Sequence, residues 1–281
     1  GFWEIDVLIT TRNGYPIAML KSLEDDAHVK TRICQYESLK NGKALYLAKQ
    51  FVIGKVEGQN ILLNKYGLEP YRSVIPIVKS LKEPNLKMLR RRLVQIEGKN
   101  SQHYFKTIFQ LFPRELRPTN RKGFKAYDGL NNTFNLAYML LFWKCYRALI
   151  KAHLEPYLGF LHSLRFGRPS LVCDFVELYR HLADDFVIQY CQKLKPKDFK
   201  AKKENMGFKG KKISKRIYLD NRKTDDMTNR LHDYFRREVN VPRIKRGEKQ
   251  ELETLINEEA MLLGKYLRNE REAWTPRIAI P

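Results

Sequence analysis

Between His153 and Asp185 the chain reads HLEPYLGFLHSLRFGRPSLVCDFVELYRHLADD. His162 stands just before an apolar helical pattern. That pattern carries Asp174 and Glu177, with Arg180 following and His181 and Asp184 extending the stripe. Residues three apart on a helix share a face. Their flanks, Leu171-Val172-Cys173 and Phe186-Val187-Ile188, are apolar, so a buried charged stripe here needs a partner. The competing reading is a solvated helix face.

Glu97 lies in LVQIEGKNSQHYF, after the cluster Arg90-Arg91-Arg92. It is either a partner of Arg91 or Arg92 or a ligand. Glu97, His162 and Glu177 together offer two carboxylates and one imidazole, a donor set suited to Mg²⁺ or Mn²⁺ rather than zinc. In a basic protein such a site points to metal-assisted chemistry on phosphodiesters. Spacing alone leaves alternatives open. Glu177 with His181 is a second pair, and a histidine among apolar residues is also a core or capping residue.

The composition names the partner class. The 281 residues carry a net charge of +22 and a pI near 9.8, which favours polyanions: nucleic acid first, an anionic membrane surface second, a ribosomal or chromatin-type structural role third. At 43% hydrophobic and 12% aromatic the chain fills a core. Cys34, Cys145, Cys173 and Cys191 form no CxxC pair and read as reduced core residues. NLAYMLLFWKCYRALI is interrupted by Lys144 and Arg147, so no segment reads as a membrane span.

Elements that position these residues follow from periodicity. Residues Ile5 to Leu20 read as a hairpin about Arg12-Asn13-Gly14, followed by an acidic loop at Leu23 to His28. Thr31 to Asn64 is one helix, or two parted at Asn41-Gly42. A short helix follows Gly67, then a basic helix at Leu86 to Leu111, a loop at Pro113 to Gly129 and an apolar helix at Asn131 to His153. The acidic helix is expected over Pro169 to Leu194, a loop over Lys195 to Lys212, and helices over Thr224 to Val239 and Gln250 to Asn269. The tail Trp274 to Pro281 is expected to pack back on the body. The fold class is mainly α: residues 1–28 as the remnant of a small β-rich domain, and 29–281 as a helical catalytic domain. The chain begins at Gly1 inside a strand-like pattern, so a preceding segment is expected.

Several ordered motifs resemble those of the CRISPR-associated integrases, the catalytic subunits of spacer acquisition. RICQYES (Arg32 to Ser38) and FVIGKVEGQN (Phe51 to Asn60) are similar to that family's R-x-x-Q-Y and GK-x-x-x-Q segments. Glu97-Gly98 with Tyr104-Phe105 resembles E-G-(x)n-Y-F/W. Asp128, Asn131, Asn135 and Tyr138 match D-x-x-N-x-x-x-N-x-x-Y. Gly159 to His162 matches G-F-L-H, and Ser170 to Asp185 matches S-L-x-x-D-x-x-E-x-x-R-(x)4-D. LINEEAMLLGKYLRNE resembles the closing helix. Leu178 and His181 stand where the family commonly has proline.

The resemblance implies a mainly helical integrase and endonuclease that joins prespacer 3′-hydroxyls to a CRISPR repeat by transesterification. Glu97, His162 and Glu177 would ligate Mg²⁺ or Mn²⁺. Asp174 would orient His162 or a bound water, and Arg180 would hold a phosphate oxygen. Arg90, Arg91, Arg92, Lys202, Lys203, Lys211, Lys212, Lys215 and Arg216 would contact DNA backbone. The implied partners are prespacer, repeat and branched DNA, a second copy as homodimer, and a small ferredoxin-like adaptation protein, in a prokaryotic cytoplasm with no membrane attachment. A transposon-borne integrase and a nonenzymatic basic DNA-binding protein are the competing readings.

Overall fold

Helical periodicity broken by Gly, Pro and Asn-Gly yields helices in the expected order. The computed structural model describes residues 7–10, 16–20, 27–71, 73–123, 126–205, 213–240 and 249–280. The elements are β1 (Val7–Thr10), β2 (Pro16–Leu20), α1 (Ala27–Glu37), α2 (Lys43–Lys65), α3 (Val74–Ser80), α4 (Leu86–Ile108) and α5 (Gly129–Lys151). They continue with α6 (Ser170–Val176), α7 (Arg180–Cys191), β3 (Phe199–Asn205), β4 (Ile213–Leu219), α8 (Asn221–Arg236), β5 (Glu238–Asn240), β6 (Lys249–Glu251) and α9 (Leu252–Leu267). The class is mainly α, as expected. The first hairpin pairs antiparallel, with Val7 opposite Leu20; its turn, and most of the acidic loop after it, lie outside the described residues.

α2 and α5 are apolar around most of their circumference and form the interior. α4 and α7 pack on α2, and α6, α7 and α9 pack on α5. Side-chain caps fix two starts: Asn85 accepts the Met88 N–H at 3.0 Å, and Asp128 accepts the Asn131 N–H at 2.7 Å. An aromatic cluster of Phe105, Phe109, Phe112, Phe134 and Tyr138 joins α4 to α5. The tail folds back as expected. Trp274 lies 5.1 Å from Phe51, and Arg277 donates to Glu259 at 2.8 Å.

Two expectations are corrected. The helix over Pro169 to Leu194 is two helices. At Glu177, Leu178 and Tyr179 the amides donate to carbonyls three residues back, not four, and this tightened turn sends the adjacent Leu178 and Tyr179 both into the core. The loop over Lys195 to Lys212 holds a strand, β3, paired antiparallel with β4 in the register Phe199↔Leu219. Its placement comes from α5: the Asn132 side chain donates to the Ile217 carbonyl at 2.8 Å, and Leu219 is buried.

All four cysteines are free, Cys145 and Cys191 buried and Cys34 and Cys173 partly so. No helix among the described residues is long and apolar enough to cross a membrane.

Candidate active-site cleft

Lys55 sits on α2 among apolar neighbours and is almost fully buried. A buried ammonium demands counter-charge, and two carboxylates supply it. Its Nζ lies against Glu97 Oε1 from α4, and 2.7 Å from Glu177 Oε2 in the turn between α6 and α7. Ser101, one helical turn beyond Glu97, donates to the same Glu97 oxygen at 2.6 Å. Burial pushes the Lys55 ammonium down, but Glu177 and Glu97 outweigh it and hold it above its ordinary value. Burial likewise pushes the Glu177 carboxyl up; Arg180, Lys55 and His162 outweigh that and bring it to about 2. Glu177 is thus ionised and already electrostatically coupled to His162.

His162 is aimed by a carboxylate cradle. Asp174, fully buried on α6, accepts the backbone N–H groups of Phe160, Leu161 and His162 at 2.5, 2.9 and 2.8 Å. Its Oδ1 also lies 2.6 Å from His162 Nδ1. A carboxylate at that distance assigns the proton to Nδ1 and leaves the lone pair on Nε2, the pattern of a carboxylate-oriented metal ligand. From the other side Arg90 donates to the Phe160 and Gly159 carbonyls, each at 2.6 Å. The His162 loop is therefore held between α4 and α6.

The far wall of the cleft is built on Asp184. This carboxylate accepts the Tyr104 hydroxyl at 2.7 Å and the Tyr138 hydroxyl. Burial pushes Asp184 up to about 6, against the hydrogen bonds from Tyr138 and Tyr104 and the nearby Arg180 and Arg121. Arg180 lies over the Tyr138 ring, 4.7 Å from its centroid, and 3.2 Å from Glu177 Oε1. Arg121 is placed by Asn135 at 2.7 Å and Asn131 at 3.2 Å. The cleft encloses about 790 Å³, and Lys55, Glu97, Arg121, Tyr138, Arg180 and Asp184 all line it.

The close approach of α2 and α7 needs glycine. A Cβ at Gly54 would lie 2.6 Å from Leu178 Cδ2, and one at Gly58 would lie 2.8 Å from His181 Cγ. His181 itself is a core residue with Nε2 2.9 Å from the Ala279 carbonyl, and burial lowers it to about 4.

The sequence-derived residues thus fall into groups. Glu97 and Glu177 meet at one ammonium, and His162 and Asp174 form the adjacent pair. Among the described residues no three His, Cys, Asp or Glu side chains are arranged to hold a metal ion as the chain stands; the Lys55 ammonium lies against both Glu97 and Glu177. The donor set nevertheless fits a hard divalent cation. Glu177 Oε2 accepts no well-formed hydrogen bond, and the Lys55 ammonium is a stand-in positive charge at that point. Arg91 and Arg92 are exposed, as are Lys202, Lys203 and Lys215 on the β3–β4 hairpin. Arg90 differs: it shares the inward face of α4 with Leu93 and Glu97, so its guanidinium goes to the His162 loop instead of solvent. Arg216 lies near the Tyr127 ring. Lys211 and Lys212 lie outside the described residues. Sequence reasoning gave no role to Lys55, Ser101 or Arg121. A lysine inside the apolar run FVIGKV was the available signal for the first.

The fold is one that solved structures share. It superposes on a casposase bound to an integration product with a TM-score of 0.79 at 22% identity, over 97% of this chain and 79% of that one. It superposes on a Cas1 protein from Thermotoga maritima with a TM-score of 0.71 at 19% identity, over 93% and 78%. In sequence, the chain is 33% identical over 158 residues to CRISPR-associated endonuclease Cas1 3 of Thermus thermophilus, covering 56% of this chain and 47% of that protein. It is 28% identical over 218 residues to CRISPR-associated endonuclease Cas1 of Korarchaeum cryptofilum, covering 70% and 63%. These alignments take in between about half and two-thirds of the relatives' own length. Residues 3–220 match the family model described as CRISPR associated protein Cas1. The chain belongs to the Cas1 family.

Proposed function

We propose that the chain is the catalytic part of a metal-dependent DNA integrase and endonuclease of CRISPR adaptation. The observation that carries this reading is the convergence of Glu97 and Glu177 on a single buried positive charge beside the Asp174-held His162. Glu97, His162 Nε2 and Glu177 would hold one Mg²⁺ or Mn²⁺. When bound, such an ion activates an attacking hydroxyl and offsets charge at the scissile phosphate. Asp174 fixes the imidazole. Arg180, seated on Tyr138, offers its guanidinium to a nonbridging phosphate oxygen, and Arg121 adds positive charge on the same wall.

In the joining reaction a DNA 3′-oxygen forms a bond to phosphorus as the repeat's own 3′-oxygen leaves and takes up a proton, so phosphodiesters are conserved in number. Exposed Arg91, Arg92, Lys202, Lys203 and Lys215 hold backbone without reading sequence. The partners in this reading are prespacer and repeat DNA, a second copy of the chain and a small ferredoxin-like adaptation protein. The likeness to the casposase favours a second reading, a transposon-borne integrase, which shares the chemistry and differs in target.

The test uses labelled branched DNA with Mn²⁺. Wild type is expected to cleave or join it, while Glu97→Ala and Glu177→Ala bind DNA but turn over at least about a hundredfold more slowly, the scale of losing a positioned catalytic group. Unchanged activity in Glu97→Ala removes the proposed centre. DNA binding without metal-dependent turnover favours the nonenzymatic reading, and a preference for repeat over terminal-repeat targets separates the first reading from the second.

A further inference from the structure

Phe166 is the one phenylalanine among the described residues that is exposed, and it is fully so. Burying such a ring is worth roughly 1.5–3 kcal/mol, so its projection into solvent is maintained against the hydrophobic effect. The backbone enforces it. Arg168 N–H donates to the Arg165 carbonyl at 3.1 Å, closing a four-residue turn with Phe166 at its second position. Gly167 follows with φ 67°, the left-handed third position of a type II turn, which glycine adopts without strain. At the base of the loop Ser170 donates to the Ser163 carbonyl at 2.9 Å. The ring is thus the tip of a short, internally bonded prong.

The prong leaves the protein at the candidate centre. It begins at the residue after His162, whose position Asp174 and Arg90 fix. Four residues of chain reach at most about 14 Å, so the ring stands within about four nucleotides (roughly 3.4 Å per nucleotide of a strand) of any phosphate held there. Arg165 and Arg168 flank it, and Arg165 is exposed. An exposed aromatic ring next in sequence to an exposed arginine, Arg165, matches an unpaired nucleobase stacked on the ring with a phosphate on the guanidinium. It suits a second protein less well, because within residues 163–168 the exposed apolar side chains are Phe166 and Leu164, with the charged Arg165 between them.

We propose that Phe166 is a base-stacking residue that receives an unpaired nucleotide of DNA a few nucleotides from the reacting phosphate. It would let the site favour strand ends and flaps over continuous duplex. This rests on the DNA reading of the cleft.

The test compares the full chain with Phe166→Ala and Phe166→Trp by anisotropy. The probes are a fully paired duplex and the same duplex carrying an unpaired 3′ end with 2-aminopurine near the junction. Phe166→Ala is expected to weaken unpaired-end binding by about tenfold, the lower part of the range for loss of one stacked base, with less than a twofold change on the paired duplex. The 2-aminopurine quench disappears in Phe166→Ala and persists in Phe166→Trp. The tenfold ratio holds as salt is raised, whereas an Arg165→Gln defect shrinks.

Unpaired-end binding by Phe166→Ala unchanged from wild type, or an equal loss on both probes, overturns the proposal. A changed oligomeric mass with an intact quench also overturns it and assigns the ring to a protein contact. If wild type binds neither probe, the DNA reading of the cleft falls as well.

Discussion

His162 Nδ1 stands 2.6 Å from Asp174 Oδ1, and that oxygen also accepts the backbone N–H of His162 at 2.8 Å. One buried carboxylate therefore sets both the ring and the peptide that carries it. Asp174→Asn replaces an acceptor-only group with one that must turn a donor toward N–H groups. Mn²⁺ affinity, measured by calorimetry, is expected to fall about 10- to 100-fold, with duplex binding little changed. Unaltered Mn²⁺ affinity would show that Asp174 does not position a ligand.

Lys55→Met removes the ammonium that Glu97 and Glu177 share. Two carboxylates then face each other with only Arg180 on Glu177 and the Ser101 hydroxyl on Glu97 to offset them, and the cost is up to about 3–5 kcal/mol. The melting temperature is expected to drop, and to recover when Mn²⁺ is added. A drop that Mn²⁺ does not reverse would mean the two carboxylates share the lysine only.

Asp184 titrates near 6 because burial disfavours its charge. The folded state then holds a proton that the unfolded chain releases near 3.8. Its contribution to stability is fully present below about pH 4 and is lost as pH rises through about 6, amounting to about 3 kcal/mol. Tyr104→Phe removes a donor that favours the ionised form, so the midpoint moves above 6. Carboxyl carbon NMR across pH 3–9 reads it; a wild-type midpoint at or below 4 contradicts this account.

Arg90 and Arg91 are neighbours with different tasks. Arg91→Ala should lower DNA affinity and reduce the salt slope by about 0.9. Arg90→Ala should leave that slope alone and lower turnover about tenfold or more, because the Gly159 and Phe160 carbonyls lose their clamp and the His162 loop loosens. A slope change in Arg90→Ala would return this residue to the DNA-contacting set.

Much of this was readable before any coordinates. The apolar period of α2 and α5, the break near Gly42 and the packed tail follow from which residues water rejects. Glu97, His162, Asp174 and Glu177 stood out as charges in apolar surroundings. The split between α6 and α7 did not, because an uninterrupted apolar run fits one buried helix as well as two, and only the packing of Leu178 and Tyr179 decides. The β3 strand was hidden by its lysines, whose charge reads as loop although Phe199 and Ala201 alternate as a strand does. Lys55 was quoted within a motif, yet its role needed the third dimension: its two partners come from residues 42 and 122 positions away.

The β3–β4 hairpin sets Lys202 opposite Arg216 and Lys203 opposite Lys215. Like charges directly across a ladder weaken it. This pair of strands is therefore under internal repulsion that counterions relieve, and a polyanion laid along it would relieve it too. Added salt acts on the protein in two opposed senses, tightening the hairpin while loosening its hold on DNA. Amide exchange across β3 and β4 should slow as ionic strength rises, over the same range in which DNA is released.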